Sequence, residues 1–249
     1  METFQMPDNM PIQNGMISRS LEQAQRKVEG NNFDLRKHLV DYDDVINKHR
    51  EVIYAKRKEV LEIAENLKTD VELRARIFEM IEAELEQVVI FHCAGDNEHQ
   101  WNIKEIYEVA ATIFRIEEKD KIELQEMRKI AGNAEADAHA RTKIIDYLIN
   151  LAHKAYDQVG ERINNPDLMK AIEKSVLLHS IDYFWIFHLE AINHLRTGIG
   201  LRSYAQVDPL MEYKREAFRL FNELLNNIQK QVVYSIFYRD EFKGVWRMP

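Results

Sequence analysis

Apolar side chains recur at steps of three and four, or at sums of these, along the first quarter of the chain: Ile17, Leu21, Ala24, Val28, Leu35, Leu39, Tyr42, Ile46, Ile53, Val60 and Ile63. This is the helical period, and it predicts one long amphipathic helix over residues 18–68. Ser18 or Ser20 is suited to cap its start, and Thr69 or Asp70 to cap whatever follows. Gly30 is a tolerated weak point, costing on the order of 1 kcal/mol relative to Ala. At about 1.5 Å per residue, a helix of about 45 residues is roughly 70 Å long, well beyond the mean for a compact domain. Such a rod is expected to organise several units around it.

From residue 69 to about residue 165 the pattern changes. Helical periods such as Val71, Ile77, Ile81, Leu85 and Val88 are interrupted by Ala94-Gly95-Asp96-Asn97 and by Gly132-Asn133, which predicts a small separate bundle. Asn164-Asn165-Pro166-Asp167 then marks a break with Pro near a helix start, and Leu168 to Leu195 reads as a strongly apolar helix. Thr197 to Pro209 reads as a turn, and Asp208-Pro209 opens a last amphipathic helix to about Tyr238. Two long helices joined by a short loop predict an antiparallel hairpin. The expected class is all-α: a long helix, an inserted helical bundle at 69–165, and a hairpin over 166–240 that packs back along the rod. Residues 1–17 and 241–249 read as an upstream remnant and a tail.

Composition supports this picture. The chain has 249 residues, 45% of them hydrophobic and 31% charged, with only eight Gly and five Pro, which is the balance of a helical protein with a real core rather than a disordered one. A formal net charge of -8 argues against a dedicated nucleic-acid binder, because phosphate affinity comes from clustered Lys and Arg. A single cysteine, Cys93, excludes an internal disulfide framework and fits a reducing compartment. No stretch reaches the roughly 18 apolar residues that a membrane span needs, so any membrane contact is expected to be peripheral.

Four groups of residues invite a chemical role. Asp41-Tyr42-Asp43-Asp44 places carboxylates around an aromatic ring, but neighbouring helical positions diverge by about 100°, so Asp43 and Asp44 do not converge on one ion. A solvated acidic face and a docking surface for basic groups both remain open. His92, Cys93, Glu98 and His99 are ligand types for a transition metal, at a spacing that matches no standard finger; an ordinary helix end accounts for them, and no metal is expected. Trp185, His188, Glu190 and His194 suggest a cofactor box, but they lie in the near-continuous apolar run 183–189, which favours burial between other helices. Ile199, Leu201 and Tyr204 are large apolar groups beside Arg202 in a turn that would ordinarily be polar.

Two blocks of sequence resemble a known family. Ala24-Gln25-Arg26-Lys27-Val28-Glu29, with Asn32-Phe33-Asp34-Leu35-Arg36-Lys37-His38-Leu39 and Asp41-Tyr42-Asp43-Asp44-Val45, is similar to the scaffold helix of SecA, the bacterial preprotein translocase motor. Leu195-Arg196-Thr197-Gly198-Ile199, Leu201 to Pro209 and Glu212-Tyr213-Lys214-Arg215-Glu216 resemble the two-helix finger of the same family. The middle of the chain occupies the position of the family's helical wing without a motif of its own. Asn193 stands where the family usually has Asp, Phe187 where it tends to be charged, and Ser203 where Gly is common.

The resemblance implies an ATP-driven motor whose nucleotide-binding domains lie upstream of the scaffold helix, with a polypeptide-clamping domain inserted in the first. No Gly-x-x-x-x-Gly-Lys-Ser/Thr loop occurs here. The expectation is therefore that this chain alone catalyses nothing and holds no cofactor, ATP and Mg²⁺ being bound by the upstream domains. It also implies that Arg36, Tyr42, Asp43, Asp44 and Arg50 meet those domains, and that Ile199, Leu201, Arg202 and Tyr204 form a tip that contacts the protein-conducting channel and the moving preprotein. Anionic lipid is a further expected partner, nucleic acid is not, and the location is cytoplasmic at the inner face of the plasma membrane. The alternative is a free-standing helical adaptor acting through protein contacts alone; a third possibility is a metal-dependent enzyme centred on His92 to His99.

Overall fold

A computed structural model describes residues 15–65, 71–94, 101–128, 134–199 and 208–238. Among the described residues are seven α-helices and no strand: α1 (Gly15–Glu65), α2 (Val71–His92), α3 (Ile103–Ile113), α4 (Glu118–Arg128), α5 (Ala134–Ile163), α6 (Pro166–Ile199) and α7 (Pro209–Ile236). The all-α expectation holds. α1 spans 51 residues, roughly 75 Å, and Ser18 and Ser20, expected as caps, lie inside it.

Side-chain partners give the packing directions. Along α6, Asp182, His188 and Arg196 meet Arg57, His49 and Asp43 of α1, so the two helices run antiparallel. On α7, Tyr213 and Phe221 meet Tyr42 and His49, so α7 runs parallel to α1. α6 and α7 therefore form an antiparallel hairpin laid along the second half of the rod. The caps that separate these helices are legible locally. Asn164 takes a left-handed φ of 47° at the end of α5, and the Asn165 side chain accepts from the Leu168 amide at 3.1 Å ahead of Pro166. The Asp208 carboxylate accepts from the Leu210 amide at 2.9 Å with Pro209 in the first turn. Asp208→Ala leaves that amide without its side-chain partner and is expected to cost about 1 kcal/mol. The thermal midpoint should fall by roughly 3 °C, which differential scanning calorimetry would detect; an unchanged midpoint removes the cap from the account.

The bundle α2–α5 is not separate. One continuous core runs from Ile53 and Val60 of α1 through α2–α5 to Val233 and Phe237. The reason lies in α2, where Leu73, Ile77, Ile81, Leu85 and Val89 are buried, and the row continues to buried Cys93 just past its end, where the Cys93 amide still donates to the Val89 carbonyl. Successive residues in such a row, four apart, advance by about 40° around the axis, so six of them wind about halfway round the helix. A helix buried on so broad a surface needs several neighbours, and α2 packs against α1, α3, α5, α6 and α7.

α6 departs from expectation twice. It continues to Ile199, so residues 197–199, read as turn, are helical. The apolar run 183–189 is also not wrapped on all sides: Trp185 and His188 are buried, whereas Tyr183, Ile186 and Phe187 are exposed, Phe187 by 50%. Along this stretch Trp185 and His188 face α1 and Phe221 of α7, and the opposite face of the helix is left in solvent whatever its composition.

Candidate functional site

The seam between α1 and the α6–α7 hairpin carries a row of specific side-chain pairs. At its lower end the Arg57 guanidinium donates to both oxygens of Asp182, at 2.9 and 3.4 Å. Both groups are about half exposed, so the pair contributes little to stability. In the middle, His49 Nδ1 and His188 Nε2 lie 3.0 Å apart, both rings buried. Phe221 of α7 stacks on His49 with ring centroids 4.3 Å apart, and Trp185 stacks on His188 at 5.6 Å. Burial lowers both imidazoles, and His188, which also feels His49, is pushed down to about 4. At the upper end Tyr42 packs on Tyr213 at 4.6 Å, and Arg196 reaches Asp43 at 3.6 Å. Burial raises the Tyr213 phenol, Asp43 and Tyr42 adding to the effect and Arg196 opposing it.

The expected contact residues are distributed unevenly. Tyr42 is half-buried in this seam, against the hairpin of its own chain. Asp43 and Asp44 are exposed, and Asp43 has a cationic neighbour within the chain, Arg196. Arg36 is exposed; Arg50 is exposed and donates to Asn47 Oδ1 at 3.1 Å. Ile199, expected at the hairpin tip, is instead 3% exposed and packs with Ile192, Tyr213 and Ala217. Because α6 runs one turn further than expected, it carries Ile199 onto the inner face. Leu201, Arg202 and Tyr204 lie outside the described residues.

The remaining candidates resolve simply. Trp185 and His188 are packed in the core, and Glu190 and His194 are exposed, so the four do not converge. Cys93 is buried, with its thiol pushed up to about 11 by burial, and is therefore a poor thiolate ligand at neutral pH. Glu98 and His99 lie outside the described residues, and among those described no group of three or more His, Cys, Asp or Glu is placed to hold a metal ion. His49 and Phe221 were missed by sequence reasoning. A signal existed for His49, which falls on the apolar stripe between Ile46 and Ile53 at steps of three and four.

Upstream of the seam, the described side chains of the rod from Gly15 to Val40 are exposed. The stripe of α1 that is covered from Tyr42 to Val60 continues upstream through Leu39, Val28 and Leu21, where it is open to solvent, Leu21 by 66%. Among the described residues no helix is long and apolar enough to cross a membrane. These features define a helical scaffold: a rod, a bundle sharing its core, and a hairpin fastened along it, with one apolar stripe left uncovered.

The family follows from comparison with known proteins. Residues 11–240 match the SecA Wing and Scaffold domain, and the chain belongs to this family. It is 38% identical over 237 residues to the protein translocase subunit SecA of Thermodesulfovibrio yellowstonii, covering 95% of this chain and 24% of that protein. It is 39% identical over 238 residues to the SecA subunit of Dehalococcoides mccartyi, covering 95% of this chain and 23% of that one. The figure for the SecA subunit of Polynucleobacter asymbioticus is 40% over 236 residues, with 95% and 24% covered. The chain thus spans about a quarter of the length of these curated relatives.

Proposed function

We propose that this chain is the scaffold and wing portion of an ATP-driven protein translocase, in which α1 and the α6–α7 hairpin pass nucleotide-driven motion to a preprotein crossing a membrane channel. The observation that carries this reading is the uncovered stripe on α1. Leu21, Val28 and Leu39 continue the register that the hairpin buries lower down, and an apolar face of that length is a surface for another part of an assembly rather than for water. The occupants are the upstream nucleotide-binding and polypeptide-clamping domains, with ATP and its Mg²⁺ held there. Arg36, Asp44 and Arg50, all exposed on the same rod, supply the polar rim of that contact. α2–α5 form the wing. Leu201, Arg202 and Tyr204 serve as the tip toward the channel and the preprotein, and the assembly works in the cytoplasm at the inner face of the plasma membrane, near anionic lipid.

A moving substrate of variable sequence cannot be read by fixed hydrogen bonds, so an amphipathic ring that grips any segment is the suitable tool at such a tip. The test replaces the matching quarter of the Thermodesulfovibrio yellowstonii SecA subunit with this chain and measures ATP-dependent uptake of a preprotein into channel-containing vesicles. Uptake is expected, and Tyr204→Ala should lower transport per ATP hydrolysed several-fold while nucleotide binding is unchanged. A well-folded hybrid that hydrolyses ATP without transport overturns the reading, and unaltered transport by the Tyr204→Ala hybrid overturns the role of the tip.

A further inference from the structure

The seam contains two hydrophobic clusters with a polar layer between them. Below lies the main core, reached by Ile53 of α1, Trp185 of α6 and Leu224 of α7. Above lies a small cluster of Ile192, Ile199, Tyr213 and Ala217, backed by Tyr42, Val45 and Ile46. His49 of α1 and His188 of α6 lie between them, and Phe221 of α7, at the edge of the main core, packs on both rings. A buried polar pair is a costly way to join helices where an apolar pair would serve. Its distinguishing property is that it forms only when one ring nitrogen donates and the other accepts.

Two protonated imidazoles present N–H donors to each other across the 3.0 Å gap, so the bond that joins the rings becomes a repulsion. A single added proton could be shared, but its charge would sit among Phe221 and Trp185, away from water. The charged groups around the pair are already engaged or turned outward. On α1, Lys48 and Arg50 are exposed, and Asp43 and Arg57 lie about two turns away. On α6, Asp182 is held by Arg57 and Glu190 is exposed. On α7, Arg219 and Glu223 pair with each other on the exposed face. The groups that act on His188 are burial and His49 itself.

We propose that the His49–His188 hydrogen bond is a proton-operated latch: with both rings neutral it pins the upper hairpin to α1, and proton uptake by the pair in mild acid frees residues 188–199 and 209–221 from the rod while the main core stays folded. Among the described residues the upper cluster is joined to the main core through Ile46, so it can open as a local unit while the main core stays closed. The lower hairpin shares its core with α2 and stays in place.

The latch needs no upstream domain and is tested in this chain alone, so its failure leaves the translocase reading untouched. Amide hydrogen exchange, corrected for intrinsic rates, is compared at about pH 7.5 and about pH 5. Residues 188–199 and 209–221 are expected to lose protection on the order of tenfold in acid while α2 and α5 keep theirs. In the double variant His49→Gln with His188→Gln, whose side chains bond without titrating, protection of the upper hairpin should not depend on pH; His188→Gln alone, which removes the ring with the larger shift, should reduce the acid response and serves as the second variant should the first fail to fold. Equal protection at both pH values overturns the latch. So does simultaneous loss in every helix, or the same acid response in a folded glutamine variant.

Discussion

Tyr213→Ala is expected to lower the unfolding free energy by about 4 kcal/mol, in the range for removing a large aromatic side chain from a packed interior. Tyr213 is 1% exposed and is the largest side chain of the upper cluster, where it meets the Tyr42 ring at 4.6 Å. The three helices are held at fixed spacing by the main core below, so the space vacated by the ring cannot collapse freely, and the cavity remains. For a domain of this size the thermal midpoint should drop by roughly 12 °C. Phe218, on the same helix but 65% exposed, is the control: its replacement by Ala should stay within about 0.5 kcal/mol. Urea denaturation of the two variants checks both numbers. A loss below about 1 kcal/mol for Tyr213→Ala would mean that the upper cluster is not packed in solution as described.

The second large effect is on pH. His188 has its folded-state value lowered from 6.5 to about 4, and His49 is displaced in the same direction by burial. The folded chain therefore binds fewer protons than the unfolded chain between those values. The contribution to stability is fully present above about pH 6.5 and is lost as pH falls toward about 4. For His188 the total is on the order of 3 kcal/mol, with His49 adding in the same sense; because the rings share a hydrogen bond, the measured midpoints belong to the pair. Urea midpoints taken across this window should fall steadily, and His188→Gln should flatten that part of the profile. A wild-type profile flat from about pH 6.5 to about pH 5 would show that the rings are already solvated when folded.

Much of the architecture could be read along the chain because it follows from local rules. The apolar stripe of α1 has the helical period and little that would stop a helix. Asn165-Pro166 and Asp208-Pro209 carry both the capping oxygen and the Pro that suits a first turn. Leu195 to Ile199 and Pro209 to Glu216, from one of the two blocks that resembled the family, lie in the two helices of the hairpin. The divergence of Asp43 and Asp44 needed only the angle between neighbouring helical positions.

What could not be read depends on which helix lies against which face. The run from Tyr183 to Leu189 is apolar throughout, so periodicity could not say that Trp185 faces inward while Tyr183, Ile186 and Phe187 face solvent. The length of α6 past Arg196 is decided by the pocket that Tyr42, Tyr213 and Ala217 offer to Ile199, residues remote in sequence. The union of α2–α5 with the hairpin in a single core depends on the winding row on α2 finding α7 as well as α5. Local pattern sets the long helices, the caps at Asn165 and Asp208 and the family, because each of these depends on neighbours within a few turns or on runs of residue identity. The tertiary structure alone decided the His49–His188 pairing, since its members are separated by 139 residues, and no local pattern encodes which distant ring will complete a buried hydrogen bond.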